Sequence, residues 1–216
     1  MVDELRAVLT AAEVDPPYVL VGHSFSSLTV QVFAYLHPDE ATGIVLVDGA
    51  HEDQMERFPG ELSPRAMLAG FADQLRQLAQ GGRHGELLPE LMPTPDSFPD
   101  STAMAYREAV VPTPDRLETA AAEYDSLEES QNQVRVLSRS SLGDIPIVAL
   151  RHGVPQPMPT VPDQVNSRYE TAWQQMQDEI AARSTSGRVV VAEGAGHMIH
   201  HDRPDLVVGA IRELLK

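Results

Sequence analysis

The sequence contains no cysteine in its 216 residues. Disulfides, thiolate nucleophiles and cysteine-ligated metals are excluded, so covalent catalysis would have to use another side chain. Basic residues are scarce too: 16 Lys and Arg stand against 32 Asp and Glu, a formal net charge of −16. Nucleic acid and anionic membrane surfaces require clustered Lys and Arg, so neither is an expected partner. No apolar run approaches the roughly 20 residues that span a bilayer, and the amino terminus lacks a charged-then-apolar secretory pattern. A cytoplasmic location is the simplest expectation. At 42% hydrophobic and 22% charged, without a low-complexity tract or fixed-period repeat, the chain suits one globular domain with a real core.

What is present is organised around Tyr18-Val19-Leu20-Val21-Gly22-His23-Ser24-Phe25-Ser26-Ser27-Leu28. Four strand-forming residues run into Gly-His-Ser, and an apolar helix pattern follows without a gap. A serine on a sharp strand-to-helix turn presents its Oγ at the strand's carboxyl edge, beside helix amides able to stabilise an anion. The plainer reading is an ordinary connector in which Ser24 caps the helix. The usual pattern is Gly-x-Ser-x-Gly, but Ser26 and Ser27 stand where small glycines are expected. Helix and strand backbones pack closely there, so a slightly opened turn is expected.

Residues 3–14 read as an amphipathic helix with Leu5, Val8, Leu9 and Ala12 on one face, ended by Pro16-Pro17. Leu28, Val32, Phe33 and Leu36 predict a second helix that stops at His37-Pro38. Ile44-Val45-Leu46-Val47 is a continuous run of β-formers, as a strand covered on both faces requires, and it ends in Asp48. Residues 52–140 are helical segments broken by Pro-rich connectors at residues 91–95 and 111–114. Strand character returns at residues 145–150 and 188–192, separated by a proline-laden loop and a helix over 163–183. The last strand runs into Glu193-Gly194-Ala195-Gly196-His197, and a helix over 204–215 closes the chain.

This alternation predicts an α/β fold with a mostly parallel sheet of about four strands and helices on both faces. Ligand sites in such sheets lie beyond the strands' carboxyl ends, where Ser24, Asp48 and His197 all fall. A serine is a poor nucleophile until a base takes its proton, and the base needs a carboxylate to fix its tautomer. These three residues supply those roles in the order Ser, Asp, His.

On residues 18–28, 43–53 and 194–206 the chain resembles the α/β-hydrolase fold family in a bacterial serine-esterase-like form, over nearly its whole length. The resemblance implies hydrolysis of small-molecule carboxylic esters without metal or cofactor. Ser24 would be the nucleophile, His197 the base, Asp48 the acid and the Phe25 amide one oxyanion donor. A serine at the elbow argues against dehalogenase and epoxide-hydrolase chemistry, which use aspartate there. Peptidase, thioesterase and lyase activities remain open.

Alternatives stand beside each role. Most members carry the acid after the strand that follows the lid, where this chain has no carboxylate before Asp163. Others carry it one strand earlier, the place of Asp48. His200 and His201 lie close to His197, and His51 and His152 lie near other strand ends. The resemblance divides the chain into a core of residues 1–51 and 141–216 and a helical lid of residues 52–140. In the lid region Met55, Phe58, Met67, Leu68, Phe71, Leu75 and Leu78 would cover the site or pack lid against base. The family's sheet has about eight strands, so the elbow strand here would carry an open apolar edge. Three readings follow: a fragment starting at an internal Met, a homodimer through that edge, or an amino-terminal helix folded over it. The alternative function is a weak or inactive truncated hydrolase that serves as a dimerising or binding module.

Overall fold

Four parallel strands form one sheet in the computed structural model, which describes residues 1–62, 64–81, 101, 113–158 and 161–216. They are β1 (Tyr18–His23), β2 (Ala41–Val47), β3 (Ile147–His152) and β4 (Gly187–Ala192), in the spatial order β1-β2-β3-β4. The helices run, in chain order, α1 (Val2–Ala11), α2 (Ser26–Leu36), α3 (Gln54–Arg57), α4 (Pro64–Gly81), α5 (Pro114–Asp125), α6 (Leu127–Leu137), α7 (Asp163–Ala181), α8 (Ile199–Asp202) and α9 (Pro204–Leu214). The expected α/β architecture is the one observed, with strand and helix bounds within a few residues of those read from the sequence. Among the described residues, no helix is long and apolar enough to cross a membrane.

The chain forms two compact units, residues 1–62 with 128–216, and residues 63–127. The sheet belongs to the first. The strand β2 is buried along nearly its whole length because successive side chains enter different cores. Ile44 and Leu46 join Leu20, Phe33, Ile147 and Ile180 on one face. Val45 and Val47 join Val148, Leu150, Ile199 and Val207 on the other. Each such side chain stabilises the fold by about 1.5–3 kcal/mol, which explains why a continuous apolar run, not an alternating one, marks this strand.

The helix α1 packs Val2, Leu5 and Leu9 against the first of these cores, and Arg6 pairs with Glu40 at 2.7 Å. Val8, expected on the packed face, is 64% exposed. Val2, Leu5 and Leu9 define a stripe whose centre lies about a quarter turn from Val8 at 100° per residue. In the second unit, Ala72, Leu75 and Ala79 of α4 pack against Leu117 and Ala121 of α5, and Arg76 pairs with Asp125. Thr113 accepts the Arg116 N–H at 3.3 Å and caps α5, with Pro114 in its first turn. The connector at residues 91–95, and residues 111–112 of the other, lie outside the described residues.

The register levels the strands' carboxyl ends. His23 pairs with Val47, Val47 with Leu150, and His152 with Ala192. Backbone bonds carry the alignment past the strands: Ser24 N–H donates to Val47 O (3.1 Å) and Asp48 N–H to Leu150 O (2.7 Å). Gly153 N–H donates to Ala192 O at 3.1 Å.

Candidate active site

Ser24 sits between β1 and α2 with φ of +52°. That left-handed conformation costs a non-glycine residue about 1–2 kcal/mol and persists only where the surroundings fix it. Here they do: the Ser24 amide is held by Val47 O, and its carbonyl accepts the Ala50 N–H at 3.0 Å. Gly22 allows the tight approach, since a Cβ there would stand 2.8 Å from Ser27 Cα and 2.9 Å from Ser26 O. The off-pattern serines each find a local use. Ser26 Oγ accepts the His23 N–H at 2.9 Å and donates to His23 O at 2.7 Å, clasping the turn. Ser27 is fully buried, its Oγ donates to Ala50 O at 3.2 Å, and its side chain would stand 3.0 Å from a Cβ at position 49, a close approach that favours the glycine there. Phe25 immediately precedes α2, so its amide lies at the positive end of that helix dipole.

Asp48 follows β2, also at positive φ (+46°). It is 1% exposed. A carboxylate so buried needs several donors, and it has them. His197 Nδ1 donates to Oδ2 at 2.7 Å, and Trp173 Nε1 donates to Oδ1 at 2.9 Å. The His152 backbone N–H donates to Oδ1 at 3.1 Å, and His152 Nδ1 lies 2.9 and 2.8 Å from the two oxygens. Burial pushes the Asp48 carboxyl up, but the bonds from His152 and His197 outweigh it and hold the group well below the usual carboxylate range. Because a carboxylate only accepts, the bond from His197 places a proton on Nδ1, and in the neutral ring the lone pair then falls on Nε2.

The geometry thus brings Asp48 and His197 into direct contact and sets Ser24 beside Asp48 across the β1–β2 register. His197 is held from the other side: His23 Nε2 donates to its carbonyl at 3.0 Å, and the two rings lie 4.6 Å apart. The alternatives fall elsewhere. Asp163 opens α7 and is exposed. His51 is buried with Nδ1 accepting the Asp53 N–H at 3.0 Å, and its burial lowers its pKa. His200 and His201 lie on α8, where His200 packs 4.6 Å from His23. Burial first, then the like charges of His23 and His201, lower His200 to about 4. Burial and His197 lower His23 as well. Among the described residues, no group of three or more His, Asp or Glu side chains is arranged to hold a metal ion.

His152 is where the structure adds most. It contacts the acid directly, and its Nε2 lies 3.0 Å from Glu170 Oε2. Burial lowers its basicity, but bonds to Asp48 and then Glu170 prevail and raise its pKa to about 9. Glu170 and Trp173, both missed in the sequence, stand one turn apart on α7 and so share a face. Trp173 stacks on His152 with centroids 6.2 Å apart, and Phe58, Tyr169 and Met176 pack around it. The only sequence signal for this cluster is a histidine at a strand end.

A family model described as the alpha/beta hydrolase family matches residues 1–210. Among curated proteins, the chain is 23% identical to the uncharacterized protein YqjL of Bacillus subtilis (strain 168), over 99% of the chain and 62% of that protein. The chain therefore spans less than two thirds of that relative's length. A thermophilic esterase from Thermogutta terrifontis superposes with a TM-score of 0.60 at 21% identity, covering 99% of this chain and 70% of the esterase. A mutant of a Pseudomonas aeruginosa protein ascribed as an epoxide hydrolase superposes with a TM-score of 0.67 at 15% identity, covering 100% and 73%. At these identities the two structures speak to the fold alone.

Proposed function

The chain belongs to the α/β-hydrolase family, and from that premise we propose that it is a serine hydrolase acting on carboxylic esters. The observation that carries the reading is the 2.7 Å bond from His197 Nδ1 to the buried Asp48, level with a strained Ser24. In this mechanism Ser24 Oγ attacks the ester carbonyl carbon while His197 Nε2 takes the hydroxyl proton. The imidazolium so formed is stabilised by Asp48. The oxyanion is met by the Phe25 amide at the start of α2. Collapse of the tetrahedral intermediate expels the alcohol, protonated by His197, and leaves an acyl group on Ser24. Water, deprotonated by the same nitrogen, then releases the carboxylic acid and restores the serine.

Both esterase and epoxide-hydrolase likenesses occur among the solved structures. A serine nucleophile favours acyl transfer over epoxide opening. One observation favours the second reading, a weakly active chain that pairs through its sheet. Among the described residues β1 bonds only to β2, and its Val21 is 41% exposed. Hydrolysis of short-chain p-nitrophenyl esters by the chain and by Ser24→Ala separates the two. The enzyme reading expects turnover reduced about a thousandfold or more by the substitution. Turnover that Ser24→Ala leaves unchanged sinks it.

A further inference from the structure

Asp48 is a buried anion whose catalytic partner carries no charge at rest. In the reading above His197 must be neutral to act as a base, so it offers Asp48 a hydrogen bond but no counter-charge. A buried carboxylate without a cation is costly to the fold. The missing charge is on a second imidazole that contacts both Asp48 oxygens. His152 is 6% exposed, and both of its ring nitrogens face carboxylate oxygens, Asp48 at 2.8 Å and Glu170 at 3.0 Å. A neutral imidazole has one N–H and one lone pair, so it would set that lone pair against one of the carboxylates. With both carboxylates ionised, the doubly protonated ring alone satisfies both contacts.

We propose that His152 is a positioning residue of the site: an imidazolium shared between Asp48 and Glu170 that holds the Asp48 carboxylate toward His197 and offsets the charge His197 feels. The inference rests on the serine-hydrolase reading. The row runs His197, Asp48, His152, Glu170, with Gln174 Nε2 donating to the other Glu170 oxygen at 3.0 Å. Glu170 also lines a cavity of about 290 Å³ with Asp163 and Tyr169, so the row's surplus negative charge falls on the more accessible of its two carboxylates. The groups facing His152 are Asp48 from the end of β2 and Glu170 and the Trp173 indole from α7; Tyr169 packs on Trp173, and His197, from the loop after β4, bonds to Asp48. Arg151 precedes it on β3. Tyr169 stays neutral, since burial and then the Asp48 and Glu170 charges raise its pKa to about 12. The consequence for catalysis is electrostatic. With a positive charge already against Asp48, His197 gains orientation from the carboxylate but feels less of its negative charge.

Two measurements test this. In ¹⁵N spectra of histidine-labelled wild-type chain at pH 7.5, both ring nitrogens of His152 should report the protonated form. A neutral His152 overturns the inference whether or not the chain has activity. In kinetics, His152→Gln keeps a donor toward Asp48 but removes the charge. The acidic limb of its kcat/KM profile should move up by roughly half a pH unit or more. A lowered plateau with an unmoved limb would reduce His152 to a structural residue and overturn the proposal. A wild-type chain without Ser24-dependent hydrolysis would instead sink the hydrolase reading, which the spectrum does not probe.

Discussion

Raising the pH from 6 to 9.5 should unload the His152 ion cluster and destabilise the fold in a calculable way. The pKa of this side chain rises from an ordinary 6.5 to about 9 in the folded state. The unfolded chain therefore releases this proton first as pH increases. The stabilisation is complete below pH 6.5 and is lost as pH climbs through about 9. At about 1.4 kcal/mol per pKa unit, the full contribution is about 3 kcal/mol. For a chain of this size that corresponds to about 6–12 °C in melting temperature. The window is favourable for a clean reading. The histidines His23, His51, His200 and His201 all have lowered values and are already neutral above pH 7. Tyr169 titrates only near 12. The assay is thermal unfolding by circular dichroism at pH 6, 7.5 and 9.5, for the wild type and for His152→Gln. The variant should melt lower at pH 6, and the gap should close by pH 9.5. A gap that stays constant across this range would refute the assignment of the imidazolium.

Asp48→Asn should lower ester turnover by about 10⁴-fold, because the amide N–H can donate to His197 Nδ1 and so favour the tautomer that carries its proton on Nε2; Asp163→Asn should leave turnover unchanged, and the reverse pattern in the same assay would reassign the acid. Gly22→Ala should destabilise the chain by more than 2 kcal/mol in denaturant titration, because its Cβ would meet the backbone of Ser26 and Ser27 at 2.8–2.9 Å; a neutral substitution would mean that the elbow is looser than described. If β1 pairs between copies, light scattering should report a dimer that Val21→Lys converts to monomer; a monomeric wild type rules that pairing out.

The elbow and the four strands were legible because their signals are local. Val19 to Val21 and Ile44 to Val47 are short apolar runs that end at Gly22-His23-Ser24 and at Asp48, and the parallel alternation places both ends on one edge of the sheet. Asp48 and His197 could be named from that rule alone, although 149 residues separate them. The environment of Asp48 could not. His152 is 104 residues from Asp48, and Trp173 is 125, so no periodicity within a window connects them. Glu170 lies on a helix whose polar residues read as solvated until α7 is docked against the sheet. Val8 failed for a smaller reason: four apolar positions at helical spacing define a broad arc, and only packing decides which part of it is buried. Ser26 shows the converse, a departure from a glycine pattern that proves to hold the turn by two hydrogen bonds.

The central claim is that Ser24 is an activated nucleophile. The most direct measurement is reaction with a fluorophosphonate, followed by mass spectrometry of the labelled peptide. The expected result is a single adduct on Ser24, absent in Ser24→Ala and strongly slowed in folded His197→Ala. Folded wild-type chain that takes no label, or takes it on another residue, would contradict the account.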